Sequence, residues 1–122
     1  MMLGQPAPKQ SIGAPDFDLT DGLELAVRGG RVIHTPGHSP GSCCFYFADD
    51  ALVCTGDTLF RQSVGRTDLM GGDSAALVRS IQTRLYTLPP DTHVIPGHGP
   101  TTDIGFEAKH NGVIKAAKAA SL

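Results

Sequence analysis

The sequence predicts a mixed α/β (α+β) domain, and three observations carry that expectation. Two pairs of short apolar runs, LELAV/RVIHT and SCCFYFA/ALVCT, are each divided by turn-forming residues. One longer segment shows helical spacing, with Leu77, Val78, Ile81, Leu85 and Leu88 on a single stripe. A further short run, HVIP, feeds a glycine-rich loop before a second helical stretch.

Taken in order, residues 1–18 hold three prolines and no periodicity, so they read as a linker-like segment. The domain is expected over 19–110. LELAV and RVIHT read as strands joined through Gly29-Gly30, and SCCFYFA and ALVCT as a second pair across Asp49-Asp50. Both of these later strands are almost wholly apolar, which predicts burial on both faces. Residues 56–72 read as a long polar loop. Asp73 or Ser74 then caps a helix running to about Leu88, where Pro89-Pro90 stops it. HVIP is a strand at 93–96, a last helix covers 103–109, and the tail 111–122 continues helically or frays.

Composition limits the function. The chain has 122 residues, is 40% hydrophobic and 18% charged, and carries a net charge of −2. That balance gives no electrostatic reason for nucleic acid or an acidic membrane surface as partner. No apolar run is long enough to span a bilayer, and the N-terminus lacks a signal-peptide core, so a cytoplasmic protein is expected. The cysteines, Cys43, Cys44 and Cys54, are odd in number and lie in apolar runs. They read as buried reduced thiols, with Cys43 and Cys44 facing opposite sides of a strand.

The chemistry gathers after the strands. In 33-IHTPGHSPGS-42 two prolines and two glycines bracket His38, making a stiff, sharply bent loop that holds one imidazole near its middle. Asp57 follows ALVCT in TGD, and His98 follows HVIP in a second PGH tripeptide. Two imidazoles and a carboxylate, each at a strand end, suit Zn²⁺, with Fe²⁺ or Mn²⁺ as alternatives.

Together TPGHSPGS, CTGDTLF, GRTD and VIPGHGPTT resemble the metallo-β-lactamase superfamily, and within it the small glyoxalase II-like hydrolases. The likeness runs from about residue 20 to 110. It implies that the chain is the C-terminal βα half of an αββα sandwich. It also implies that His38 serves a first metal, Asp57 bridges two metals and His98 serves the second. In such sites a bridging hydroxide attacks an ester, thioester or amide carbonyl, so no catalytic side chain independent of the metal site is needed. The implied activity is thioester hydrolysis on an acyl-glutathione or similar small molecule. A persulfide dioxygenase-like iron protein is a second reading, because GRTD occurs in that branch too.

The departure from the pattern is as informative as the match. The family's H-x-H-x-D-H run, which precedes the His38 motif, occurs nowhere in the sequence. Each metal would then keep two protein ligands, His38 and Asp57 or Asp57 and His98, so the two-metal site is incomplete and the isolated chain is expected to be inactive. A non-catalytic remnant, or a half that works only with a partner, is the third reading. A lone half would also expose the inner face of its sheet, which implies self-association or a separate N-terminal half as partner.

The other candidates have supporting roles. His34 is expected to brace the His38 loop, and Arg66 and Asp68 to form a buried or semi-buried ion pair lining the site. His93 reads as structural, and His110 as a surface or helix-capping residue.

Overall fold

The computed structural model describes residues 20–120, without the side chains of 118–120. The linker-like segment 1–18 lies outside the described residues. Five strands form the main sheet: β1 (Gly30–His34), β2 (Cys43–Phe47), β3 (Leu52–Gly56), β6 (His93–Pro96) and β7 (Thr102–Asp103), in the order β1-β2-β3-β6-β7. β3 and β6 run parallel, and every other neighbouring pair is antiparallel. A small hairpin of β4 (Leu59–Phe60) and β5 (Ser63–Val64) stands apart from it.

LELAV does not form the expected strand. It touches β1 through one isolated bridge, Glu24 to Arg31, and then turns through Arg28 and Gly29, both at positive φ. The run has little to bury: Leu23 and Leu25 are half-buried, and Val27 is 58% exposed. The turn expected at Asp49-Asp50 is a short 3₁₀ turn, Ala48–Asp50, closed by Ala51 in the left-handed region.

α1 (Ser74–Ser80) begins where expected, with the Asp73 carboxylate accepting from the Ala76 N–H at 3.0 Å. It widens into a π-helical stretch, Ile81–Leu85, before the prolines. Asp73 caps α1, and Asp103 caps α2 (Ile104–His110) in the same manner. α3 (Gly112–Ala120) follows directly, with Ile114 buried in the core.

The helices lie on one face of the sheet. Ile33, Cys44, Tyr46, Val53 and Val94 from the strands pack against Leu77, Ile81, Leu85, Leu88, Ile104 and Ile114. Strand register puts the alternate residues on the opposite face, where Cys43, Phe45, Phe47, Leu52 and Cys54 are only half-buried and Ile95 is 40% exposed. Full burial of both faces, expected from the two apolar strands, therefore holds for β2 and β3 on the helix side alone, although Val32 of β1 is buried on the other. The same alternation corrects the thiol expectation: Cys44 is buried, Cys43 and Cys54 are half-buried, and all three are free. Among the described residues no helix is long and apolar enough to cross a membrane.

Candidate functional site

β1 delivers the chain into the His38 loop, and that loop is fixed from several sides. The Thr35 N–H donates to Ser42 O (2.9 Å), and the Ser39 and Ser42 hydroxyls bond each other (2.7 Å). From α1, the Ser80 hydroxyl donates to Pro36 O (2.8 Å) and the Asp73 N–H to Gly37 O (2.7 Å). Gly37 is required at this crossing: its φ is 148°, and a Cβ there would overlap the Leu77 backbone. His34 donates from Nε2 to Pro40 O at 2.8 Å, tying the far side of the loop back to β1. The backbone N–H of His34 in turn donates to Asp21 (2.9 Å), which holds the Asp21 carboxyl below its usual range, with Arg84 adding to the effect.

Asp57 arrives from the end of β3. The ladder shifts register between Cys54 and Gly56, and the turn closes with the Thr58 N–H on Thr55 O and the Thr55 hydroxyl on Leu59 O (2.7 Å). The Gly97 N–H donates to Gly56 O at 2.8 Å, which sets the His98 loop beside the Asp57 turn. Gly65 passes so close to Asp57 that a Cβ would overlap the Asp57 carbonyl oxygen. Two glycine contacts thus hold the site's two loops against their neighbours.

The imidazole of His38 lies 3.6 Å from Asp57, Nε2 to Oδ2. Its Nδ1 lies 2.8 Å from Arg66 O. A carbonyl only accepts, so Nδ1 donates to it and Nε2 is the nitrogen that faces the carboxylate. The His98 ring stacks on Phe60 with centroids 4.6 Å apart. His38, Asp57 and His98 line one open cleft of about 480 Å³, together with Phe60, Arg61 and Arg66.

This donor set fits a divalent ion in part. A carbonyl-fixed imidazole opposite a carboxylate is the arrangement a metal ligand pair takes, with the second nitrogen anchored. A catalytic zinc takes three protein ligands, and among the described residues no three His, Cys, Asp or Glu side chains converge into a cage. The pair supplies part of a ligand set.

The other expected residues separate clearly. Arg66 and Asp68 do form a forked pair, Nε–Oδ1 2.8 Å and Nη2–Oδ2 3.1 Å, but their side chains are 61% and 71% exposed. The expectation of a buried pair is corrected: two residues apart on a loop rim, both heads reach water, and such pairs contribute little. What Arg66 gives the site is its carbonyl. His93 sits exposed at the start of β6, and His110 packs on Phe106 in the last turn of α2. Neither lines the cleft.

Sequence reasoning missed the hairpin β4–β5, which supplies much of the cleft wall. Its signal was present as Leu59-Phe60 and Val64 flanking a polar turn, but two-residue strands are too short to show a period. It also missed Glu107 and Asn111, both fully buried. Polar residues on a short helix end carry no mark of burial.

Across residues 3–98 the chain matches the sequence model of the metallo-beta-lactamase superfamily. It is 51% identical over 81 residues to the probable metallo-hydrolase YqgX of Bacillus subtilis (strain 168), covering 66% of this chain and 38% of that protein. Identity to the hydroxyacylglutathione hydrolase GloC of Haemophilus influenzae is 42% over 116 residues, covering 87% of this chain and 55% of GloC. Among solved structures, TTHA1623 in a di-iron-bound form matches with a TM-score of 0.76 at 50% identity, over 83% of this chain and 50% of that one. The chain spans about half the length of these relatives.

Proposed function

The chain belongs to the metallo-beta-lactamase superfamily, and on that premise we propose that it carries the C-terminal half of a metal-dependent hydrolase site acting on thioesters. The observation that carries the reading is the meeting of His38 Nε2 and Asp57 at 3.6 Å in a cleft that His98 also lines. In this reading His38, Asp57 and His98 hold zinc, or iron or manganese as in the di-iron neighbour's case. Such an ion, when bound, supplies Lewis acidity that activates water and polarises a carbonyl.

The chain's own residues do the rest. Arg66 O fixes the His38 tautomer, the Gly97–Gly56 hydrogen bond joins the two ligand loops, and Phe60 sets the plane of His98. Arg61 lines the cleft as an exposed guanidinium, which suits a thioester whose carrier bears a carboxylate, as a glutathione conjugate does. Similarity to a hydroxyacylglutathione hydrolase supports that substrate class.

The ligand set is completed by residues beyond this pair of loops, contributed by a separate N-terminal half or a second copy seated on the half-buried sheet face. The test is to load the chain with zinc, iron or manganese, desalt it, and measure metal per chain beside His38→Ala. Retention lost in the variant, followed by thioester hydrolysis, supports the reading. An ion held equally by both proteins overturns it, as does one held by neither when a separate N-terminal half is added as well. Bound iron with oxygen uptake on a persulfide would redirect the chemistry to oxidation.

A further inference from the structure

We propose that Glu107 is a positioning residue of the cleft, acting on His98 through the β4–β5 hairpin. This rests on the reading that His98 belongs to the site. Glu107 is fully buried, and the contacts it makes among the described residues are with neutral donors from three separate places. Oε1 accepts from the Gln62 backbone N–H (2.9 Å) and from Asn111 Nδ2 (2.8 Å), and Oε2 accepts from the Thr102 hydroxyl (2.7 Å). A buried carboxylate is costly unless such donors surround it, so its retention here points to a task.

The task is legible in what the donors belong to. Gln62 is the apex of the hairpin, held at a φ of 58° that non-glycine residues rarely adopt. Asn111 also donates to O of the next residue, Ser63 (3.1 Å), where β5 begins. Its side-chain oxygen is already committed, accepting from the N–H groups of Val113 and Ile114 at the start of α3. Glu107 and Asn111 therefore grip the turn at Gln62 and the start of β5 at Ser63 from the α2–α3 junction. The turn's flanks carry Phe60, against His98, and Arg61, whose guanidinium lies over Phe106 at 5.6 Å. Without the grip, Gln62 would relax from its strained conformation and Phe60 would leave His98.

Glutamine at 107 keeps the arrangement, because its oxygen still accepts from Gln62 and Asn111 and its amide donates to the Thr102 hydroxyl. Alanine removes it. The experiment is NMR on the whole chain without metal. In the wild type, stacking on Phe60 moves the His98 ring protons upfield, and the Gln62 amide is protected from exchange although Gln62 is exposed. Glu107→Ala is expected to return the His98 signals toward free-imidazole positions while His93 stays unmoved; Glu107→Gln is expected to leave both in place. Unmoved His98 signals in a folded Glu107→Ala, or fast exchange at Gln62 in the wild type, overturn the proposal. Should Glu107→Ala not fold, Thr102→Val removes one donor only, and His98 must then move part of the way. A chain that holds no metal, alone or with an N-terminal half added, yet passes these tests refutes the site reading and leaves the clamp standing.

Discussion

His38 faces Asp57 through Nε2 only because its Nδ1 is tied to the carbonyl of Arg66. In the neutral ring the bond selects the Nδ1–H tautomer and leaves Nε2 as the nitrogen on the carboxylate side. In the neutral ring, nitrogen chemical shifts of His38 are expected to place the proton on Nδ1 rather than on Nε2. Zinc is expected to move Nε2 alone. A protonated Nε2 with a bare Nδ1 would sink the assignment of His38 as an Nε2 ligand.

Gly65 and Gly37 set how closely the site loops approach their neighbours. A methyl at Gly65 overlaps the Asp57 carbonyl oxygen, and one at Gly37 overlaps the Leu77 backbone in a φ of 148°. Backbone offers no far end to swing aside, so the loops themselves must shift. Gly65→Ala and Gly37→Ala should each cost roughly 2–4 kcal/mol, within the range for overpacking added to backbone strain. Urea midpoints check this. Gly41→Ala is the control, since nothing lies within 4 Å of its added Cβ. Equal midpoints for all three variants would contradict these close backbone approaches.

Much of this was written in the sequence, and the rest was hidden for identifiable reasons. The apolar stripe read correctly as buried, all of it packing in the core cluster or against it, but the helical stretch ends at Leu85 and Leu88 packs from the turn beyond it, short of the expected end. The loops that carry His38, Asp57 and His98 were legible because proline and glycine announce stiff turns whatever surrounds them, and the three residues line one cleft. LELAV failed as a strand because alternation says nothing about whether a face exists to receive it. The Arg66–Asp68 pair formed as expected, but its exposure depends on which side of the loop meets solvent. Glu107 was invisible for the opposite reason: its donors come from 45 residues upstream, at Gln62, as well as from its own neighbourhood.

Thiol ionisation makes stability fall at alkaline pH. Burial pushes the Cys44 thiol up to about 11 from an ordinary 9.0, and burial raises Cys43 and Cys54 as well. These folded-state values lie above the unfolded ones, so the folded chain holds its thiol protons more tightly. Their contribution is fully present below pH 9 and is lost as pH rises toward 11. For Cys44 alone the loss approaches about 3 kcal/mol. Urea melts at pH 8, 9.5 and 11 are expected to show falling midpoints, with the fall reduced in Cys44→Ala relative to its own pH 8 value. A flat wild-type profile would contradict the burial of Cys44.

The sheet face away from the helices carries a row of apolar residues that no helix among the described residues covers. Register aligns Phe45, Cys54 and Ile95 in one row across β2, β3 and β6, flanked by Phe47 and Leu52. Four of these five are half-buried and Ile95 is 40% exposed. Water contact over such a row is unfavourable by roughly 25 cal/mol per Å², so the isolated chain is expected to cover it by pairing with a second copy. Light scattering at tens of micromolar should give a mass above one chain, and Ile95→Lys should lower that mass without lowering helix content. A wild-type mass of one chain with a cooperative melt would sink self-association. Mass that returns only when a separate N-terminal half is added would assign the face to that partner.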